Sequence, residues 1–225
     1  MTCWRALLAL ALLVMAAGPA TAHHVGAYVP QDNEISVNFK KIKFAIQARK
    51  FDVALRLFET GALRTEMRAQ SERLPAGLEQ ATRAALTGGD GRRAERSLMI
   101  LFAASIRDLA LEADRRLADR SGAVEARAAA GQKFLDAIWR YYNLVDFTVT
   151  QQDPKAAVAV RLAFDEAAGY AQGAPAPAAA APAPESKGAA ARPAAPPDPD
   201  RMREPLQRIA RTLAGLIETS SMAMR

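Results

Sequence analysis

The chain has 225 residues, half of them hydrophobic and 6% aromatic, with 30 Lys and Arg against 24 Asp and Glu for a net charge of +6. That supplies a core for one domain and an appendage, and no segment beyond the N-terminal apolar run is long enough to span a bilayer. One cysteine, Cys3, and two histidines, His23 and His24, all lie near the start, so the rest of the chain has no thiol for disulfide, metal or nucleophile chemistry and no imidazole base.

Residues 1–22 read as a secretory signal. Met1 to Arg5 carry one positive charge, Ala6 to Ala17 are unbroken and apolar, Gly18-Pro19 breaks the helix, and Ala20-Thr21-Ala22 offers the small residues a signal peptidase requires. Cleavage is expected between Ala22 and His23. It places the protein in the periplasm or outside the cell, and it removes Cys3. An exported chain whose charges are scattered in both signs is not expected to bind nucleic acid. A weak contact with an anionic envelope surface fits the basic balance.

Residues 23–32 form an extended arm, because Gly26 and Pro30 resist a helix. Asp32, Asn33 and Glu34 then signal a helix start, followed by the stripe Ile35, Phe39, Ile42 and Ile46. A second stripe, Phe51, Leu55, Phe58 and Ala62, runs on towards Met67. The junction Ala48-Arg49-Lys50-Phe51-Asp52-Val53-Ala54-Leu55 resembles the turn of a tetratricopeptide hairpin. No copy recurs about 34 residues on, so the pattern predicts one helical hairpin and not a repeat array.

Leu74, Leu78, Ala81 and Ala85 mark a short helix closed by the turn Gly88-Gly89-Asp90-Gly91. A long helix follows from about Arg92 to Ala118, with Leu98, Phe102, Ile106, Leu109, Ala113 and Leu117 inward and Glu112 at ion-pair spacing from Arg116. After Ser121-Gly122, the residues Val124, Ala128, Gly131, Leu135, Ile138, Tyr142, Val145 and Val149 keep a four-three spacing, the seam of a helix packed lengthwise on neighbours. Asp153-Pro154 ends that helix and starts the next, whose stripe is Ala157, Val160, Phe164 and Ala167.

Between Gly173 and Asp200 lie eight of the chain's 13 prolines, amid alanine. That composition predicts a disordered Pro/Ala linker. Beyond it, Met202, Leu206, Ile209, Leu213 and Leu216 share one face of a terminal amphipathic helix, which either docks back or reaches a partner. No stretch alternates with period two. The predicted fold is all-α: an antiparallel bundle of about five helices over residues 33–172, a linker over 173–200 and a terminal helix over 201–225.

The chemistry concentrates at the predicted mature N-terminus. With residue 23 first, the α-amine and the His23 imidazole can chelate one ion, with His24 beside them, and nitrogen ligands of this kind suit Cu(II). The arrangement resembles half of the histidine brace of exported copper proteins such as the lytic polysaccharide monooxygenases. The likeness rests on His23 alone, and the chain lacks the distant second histidine and the β-sandwich that the monooxygenase activity requires. The thioethers of Met222 and Met224 are further candidate ligands, for Cu(I), whereas Met202 fits the apolar stripe.

Phe134, Trp139, Tyr141, Tyr142 and Phe147 read as core packing. Asp108 with Glu112, and Asp165 with Glu166, read as solvated ion pairs, since they lack the spacing of a di-iron site. No hydrolase or phosphate-binding motif is present, so the sequence predicts no catalytic residue. The expectation is an exported, non-enzymatic binding or accessory protein that captures copper or a similar ion through His23 and His24. The alternative is a metal-free structural or adaptor protein that docks an envelope partner through its 201–225 helix.

Overall fold

A computed structural model describes residues 32–173 and 195–223. Among them are eight helices and no strand: α1 (Glu34–Gln47), α2 (Phe51–Glu59), α3 (Ala62–Ala69), α4 (Leu78–Thr87), α5 (Gly91–Ala118), α6 (Val124–Gln152), α7 (Pro154–Gln172) and α8 (Arg203–Met222). The fold is all-helical, as the periodicity predicts. The predicted leader, the arm before Asp32, most of the linker, and Met224 lie outside the described residues.

Local sequence sets most of the boundaries. Asn33 opens α1 with a reciprocal cap: its side chain accepts from the Ser36 N–H, and the Ser36 hydroxyl accepts from the Asn33 N–H, both at 2.9 Å. Asp90 accepts from the Arg93 N–H at 3.0 Å to cap α5, and Asp153 accepts from the Ala156 N–H at 2.9 Å to cap α7, with Pro154 in its first turn. Gly88-Gly89 closes α4 in the expected turn: Gly89 is left-handed (φ 71°), and the Asp90 N–H reaches back to the Ala85 carbonyl at 2.9 Å.

One boundary differs from the sequence reading. The stripe from Phe51 to Met67 is not one helix but two, broken at Thr60-Gly61. The Asn38 amide of α1 causes the break: it donates to the Leu57 carbonyl at the end of α2 (2.9 Å) and accepts from the Leu63 N–H at the start of α3 (3.0 Å). One side chain thereby satisfies orphaned groups of two helix ends. A Cβ on Gly61 would lie 2.3 Å from the Leu57 carbonyl oxygen, so only glycine fits the corner. The α1–α2 turn falls where expected, and in it Arg49 takes the left-handed position (φ 57°) that glycine usually fills.

Helices α5 to α8 form a ring in which α5 packs on α6, α6 on α7, α7 on α8 and α8 back on α5. Contacts at the ends give the directions. Arg203 and Gln207 near the start of α8 bond Asp114 near the end of α5 (2.7 and 3.0 Å), and Arg208 bonds Glu166 near the end of α7 at 2.5 Å. At the other end Ser220 bonds Gln152, the last residue of α6, at 3.2 Å. Neighbours are therefore antiparallel, in up-down-up-down order.

The terminal helix thus docks back. Met202, Leu206, Ile209 and Leu213 are fully buried and Leu216 nearly so. At about 1.5–3 kcal/mol for each large apolar side chain, this face contributes roughly as much as the whole net stability of a domain. Met202 fits because Gly131 of the facing α6 has no side chain: a Cβ there would lie 2.6 Å from the Met202 methyl. Buried Arg127 ties the junction, donating to the Leu117 carbonyl at the end of α5 and to Asp200 just ahead of α8.

The α6 seam is buried from Ala128 to Val149 as expected, while its first member, Val124, is exposed in the opening turn. Tyr142 is core, its hydroxyl donating to the Ala157 carbonyl at 3.2 Å, and Trp139 stacks on Phe164 at 4.6 Å. Phe147 departs from the core expectation and is 64% exposed. Helices α1 to α4 pack on one another and, chiefly through α4, on the first half of α5.

The ends of the Pro/Ala segment meet. A Cβ on Gly173 (φ 69°) would collide with the Ala195 carbonyl, and the Asp198 N–H donates to the Tyr170 carbonyl at 2.9 Å. Ala195 and Asp198, in the last part of the predicted linker, thus lie against the end of α7.

Two stability outcomes follow. Arg49→Gly relieves the left-handed strain at an exposed position and raises stability by about 1 kcal/mol, read as a gain of roughly 2–4 °C in thermal melting. Replacing residues 174–194 by about six Gly/Ser residues leaves the helical circular dichroism unchanged and raises stability by about 1 kcal/mol, the difference in loop-closure entropy. Loss of cooperative melting in the shortened chain would contradict the shared exit and entry point.

Candidate functional site

A cleft of about 820 Å³ opens beside the second half of α5, where it meets the end of α3. Its floor is one face of α5, on which Leu101, Ser105, Asp108, Glu112 and Arg115 recur at three- and four-residue spacing. Glu66 and Gln70 at the end of α3, with Arg73 just beyond, form one wall. Ile35 of α1, Phe102 and Leu109 of α5 and Tyr141 of α6 form the apolar side.

The apolar side is rigid. Phe102 packs edge-on against Phe39 with ring centroids 4.9 Å apart, and Tyr141 lies 5.5 Å from Phe102. The Tyr141 hydroxyl accepts a 3.0 Å hydrogen bond from the side chain of Asn33, the residue that caps α1. Asp32, the first described residue, is held by Lys40 at 2.7 Å and by the Ser36 hydroxyl at 3.0 Å. These contacts hold its carboxyl below the ordinary range of aspartate, the Lys40 hydrogen bond most strongly. The point at which the N-terminal arm enters the fold is therefore fixed near this wall.

The polar side divides into satisfied and unsatisfied groups. Glu112 accepts from Arg115 at 2.6 Å and from Arg116 at 2.8 Å, the ion pair expected from spacing. The Arg116 hydrogen bond is the main reason its carboxyl lies below the usual glutamate range. Asp114 is taken up by Arg203 and Gln207. Asp108 is different. The Arg107 guanidinium holds one oxygen through two nitrogens, at 2.9 and 2.8 Å, but Oδ2 is buried and has no hydrogen-bond donor, and the Arg73 guanidinium stands 3.9 Å from it. Gln70 gives its amide N–H to Glu66, and its Oε1 is likewise buried without a donor. Sequence reading takes Asp108 as a solvated ion pair; the fold buries half of that carboxylate.

The sequence-predicted ligands lie elsewhere. His23, His24 and Met224 fall outside the described residues. Met222, the last residue of α8, is 62% exposed, and Met202 is core. Among the described residues, no three His, Cys, Asp or Glu side chains are grouped so as to hold a metal ion, and no helix is long and apolar enough to cross a membrane. Of the carboxylate pairs noted in the sequence, Glu166 is engaged by Arg208 and by the Tyr170 hydroxyl (3.0 Å).

The cleft escapes sequence reading because four separate stretches of chain build it. The one local signal is the Ser105, Asp108, Glu112 and Arg115 series, a polar row on a helix whose preceding turns are apolar on every side.

The depressed Glu112 carboxyl gives a measurable outcome. Its side-chain carbon resonance should titrate below the ordinary 4.5, and Arg116→Gln should move the midpoint up towards that value. The sign follows from linkage: a carboxyl lowered by folding contributes its full stability above 4.5 and loses it as pH falls through the folded value. An unchanged midpoint in the variant would remove Arg116 as the cause.

No protein-family model matches this chain, and no curated protein or solved structure matches it.

Proposed function

We propose that this chain is an exported, non-enzymatic binding or accessory protein whose mature N-terminus captures Cu(II) or a similar ion. Cleavage after Ala22 frees the amine of His23, and that amine, the His23 Nδ1 and the His24 imidazole bind the ion together. The observation that carries this reading is that both histidines of the chain follow the predicted cleavage bond directly. The capped start of α1 supports it, since Asn33, Ser36, Lys40 and Tyr141 fasten the chain at residues 32–33 and leave a short arm on a rigid platform. Met222 and Met224 are subsidiary thioether donors at the opposite end of the chain. Copper is the cargo in this reading and does no chemistry on a substrate.

The adaptor alternative has less left to work with. The apolar face of α8 is buried in the bundle, so an envelope partner would meet its outer face, where Met222 at the very end is the exposed large apolar residue. Contact with an anionic envelope surface has a better candidate in α1, where Phe44 is 72% exposed beside the exposed Lys40 and Lys41.

The test compares two proteins by calorimetric titration of Cu(II): the mature chain beginning at His23, and the same chain with its terminal amine acetylated. Acetylation removes the amine as a ligand and should weaken binding at least about tenfold, near 1.4 kcal/mol. Equal affinities, or none in either protein, would remove the amino-terminal site.

A further inference from the structure

We propose that the outer face of α1 docks on an anionic lipid bilayer, with the Phe44 ring inserted at the headgroup level and the basic side chains around it held against the phosphates. This gives residues and a geometry to the envelope contact raised above. It shares no residue with the copper reading, so neither proposal depends on the other.

Helix geometry defines the face. Phe39, Ile42 and Ile46 are buried and turn one side of α1 into the bundle. At 3.6 residues per turn, Val37 and Phe44 fall within about 20° of each other and nearly opposite Ile42. Lys40 and Lys41 fall on either side of that line. Phe44 is 72% exposed and Val37 37%. A single exposed apolar residue is ordinary and requires no partner. What sets Phe44 apart is the charge around it.

From Val37 to Lys50 the chain carries five cations, Lys40, Lys41, Lys43, Arg49 and Lys50, and no acid. Asp32 answers Lys40 at 2.7 Å, and the Lys43 ammonium sits 5.7 Å from the Phe39 ring, which leaves its charge uncompensated. Lys41, Arg49 and Lys50 have no ion-pair partner among the described residues. The start of α5 adds to the same end. A Cβ on Gly91 would lie 2.9 Å from the Ile46 side chain and 3.6 Å from the Phe51 ring, so exposed Arg92 enters beside the α1–α2 turn. The acids near that end are already engaged, Asp52 by Arg56 at 3.8 Å and Asp90 by the α5 cap, and Glu34 lies in the first turn, away from Phe44. An outward ring in a basic field fits an anionic bilayer: the cations meet phosphates, the lysine stems extend the apolar strip, and the ring reaches the acyl boundary. Other exposed large apolar residues have acids beside them, Phe147 next to Asp146 and Leu111 next to Glu112.

The experiment mixes the mature chain with phosphatidylcholine vesicles containing about one third phosphatidylglycerol and reads the bound fraction by co-sedimentation. A chelator is present throughout, so the result is independent of any copper site. Binding is expected at about millimolar lipid, and at least about tenfold weaker on pure phosphatidylcholine or in about 0.5 M salt. Lys41→Glu and Phe44→Ser alter exposed side chains, so each should melt as the parent does and bind about fivefold or more weakly. Phe147→Ser, at a residue 64% exposed on α6, should bind as the parent does. No binding, equal binding to neutral vesicles, an unchanged Phe44→Ser or Lys41→Glu variant, or an equal loss from Phe147→Ser would each overturn the assignment. So would a parent dimer that Phe44→Ser dissociates, which gives the face to a second copy, or full displacement from vesicles by an equimolar oligothymidylate, which gives it to nucleic acid.

Discussion

Everything in this fold is arranged around the burial of α5. From Ser97 to Ala104 every residue is buried, so this stretch touches protein on its whole circumference. A helix exposed on one side can be polar there; this one is apolar all round, and its single polar residue, Ser97, turns its hydroxyl back to the Arg93 carbonyl at 3.0 Å. Such a helix is stable only between two sets of neighbours. Helices α6 and α8 supply one set, with α7 closing their ring; α1 and α4 supply the other. Removing either set would expose Met99, Ile100, Leu101 and Phe102 in part.

The same constraint creates the cleft. Beyond Ala104 the α1–α4 cover thins while α6 and α8 continue, and the helix becomes amphipathic within one turn. Ser105, Asp108 and Glu112 occupy the uncovered side, next to apolar side chains that belong to the covered stretch. A strong apolar wall and a row of carboxylates thus meet where one helix passes from buried to half-buried. The acceptors without donors lie at that border, where water no longer serves them fully and no protein group has replaced it.

Much of this was legible in the sequence. Asn33, Asp90 and Asp153-Pro154 mark three helix starts because a capping side chain acts over three residues, a distance sequence inspection sees directly. The α6 seam and the α8 stripe are equally local, and each is buried as its spacing requires. What escaped depends on distant partners. The break at Gly61 is imposed by Asn38, some twenty residues earlier. Periodicity gives α5 one inward stripe because it reports a preferred face, and a helix buried all round has none; the unbroken run Leu98 to Ala104 is the sign. Asp108 looked like its neighbour Glu112, and nothing along the chain distinguishes a carboxylate with both oxygens in water from one with an oxygen sealed under α3. The proposed copper site at His23 and His24 has the opposite character: it rests on the sequence alone, on two adjacent histidines and an expected cut before them.

The meeting of Gly173 with Ala195 changes what the Pro/Ala segment is for. A spacer sets the distance between two bodies, but here there is no distance to set, because α7 and α8 are already neighbours in one ring. The covalent join between them is mechanically redundant. A chain nicked anywhere within 174–194 would keep its C-terminal fragment by burial alone, as a split protein whose halves recognise each other through Met202, Leu206, Ile209 and Leu213.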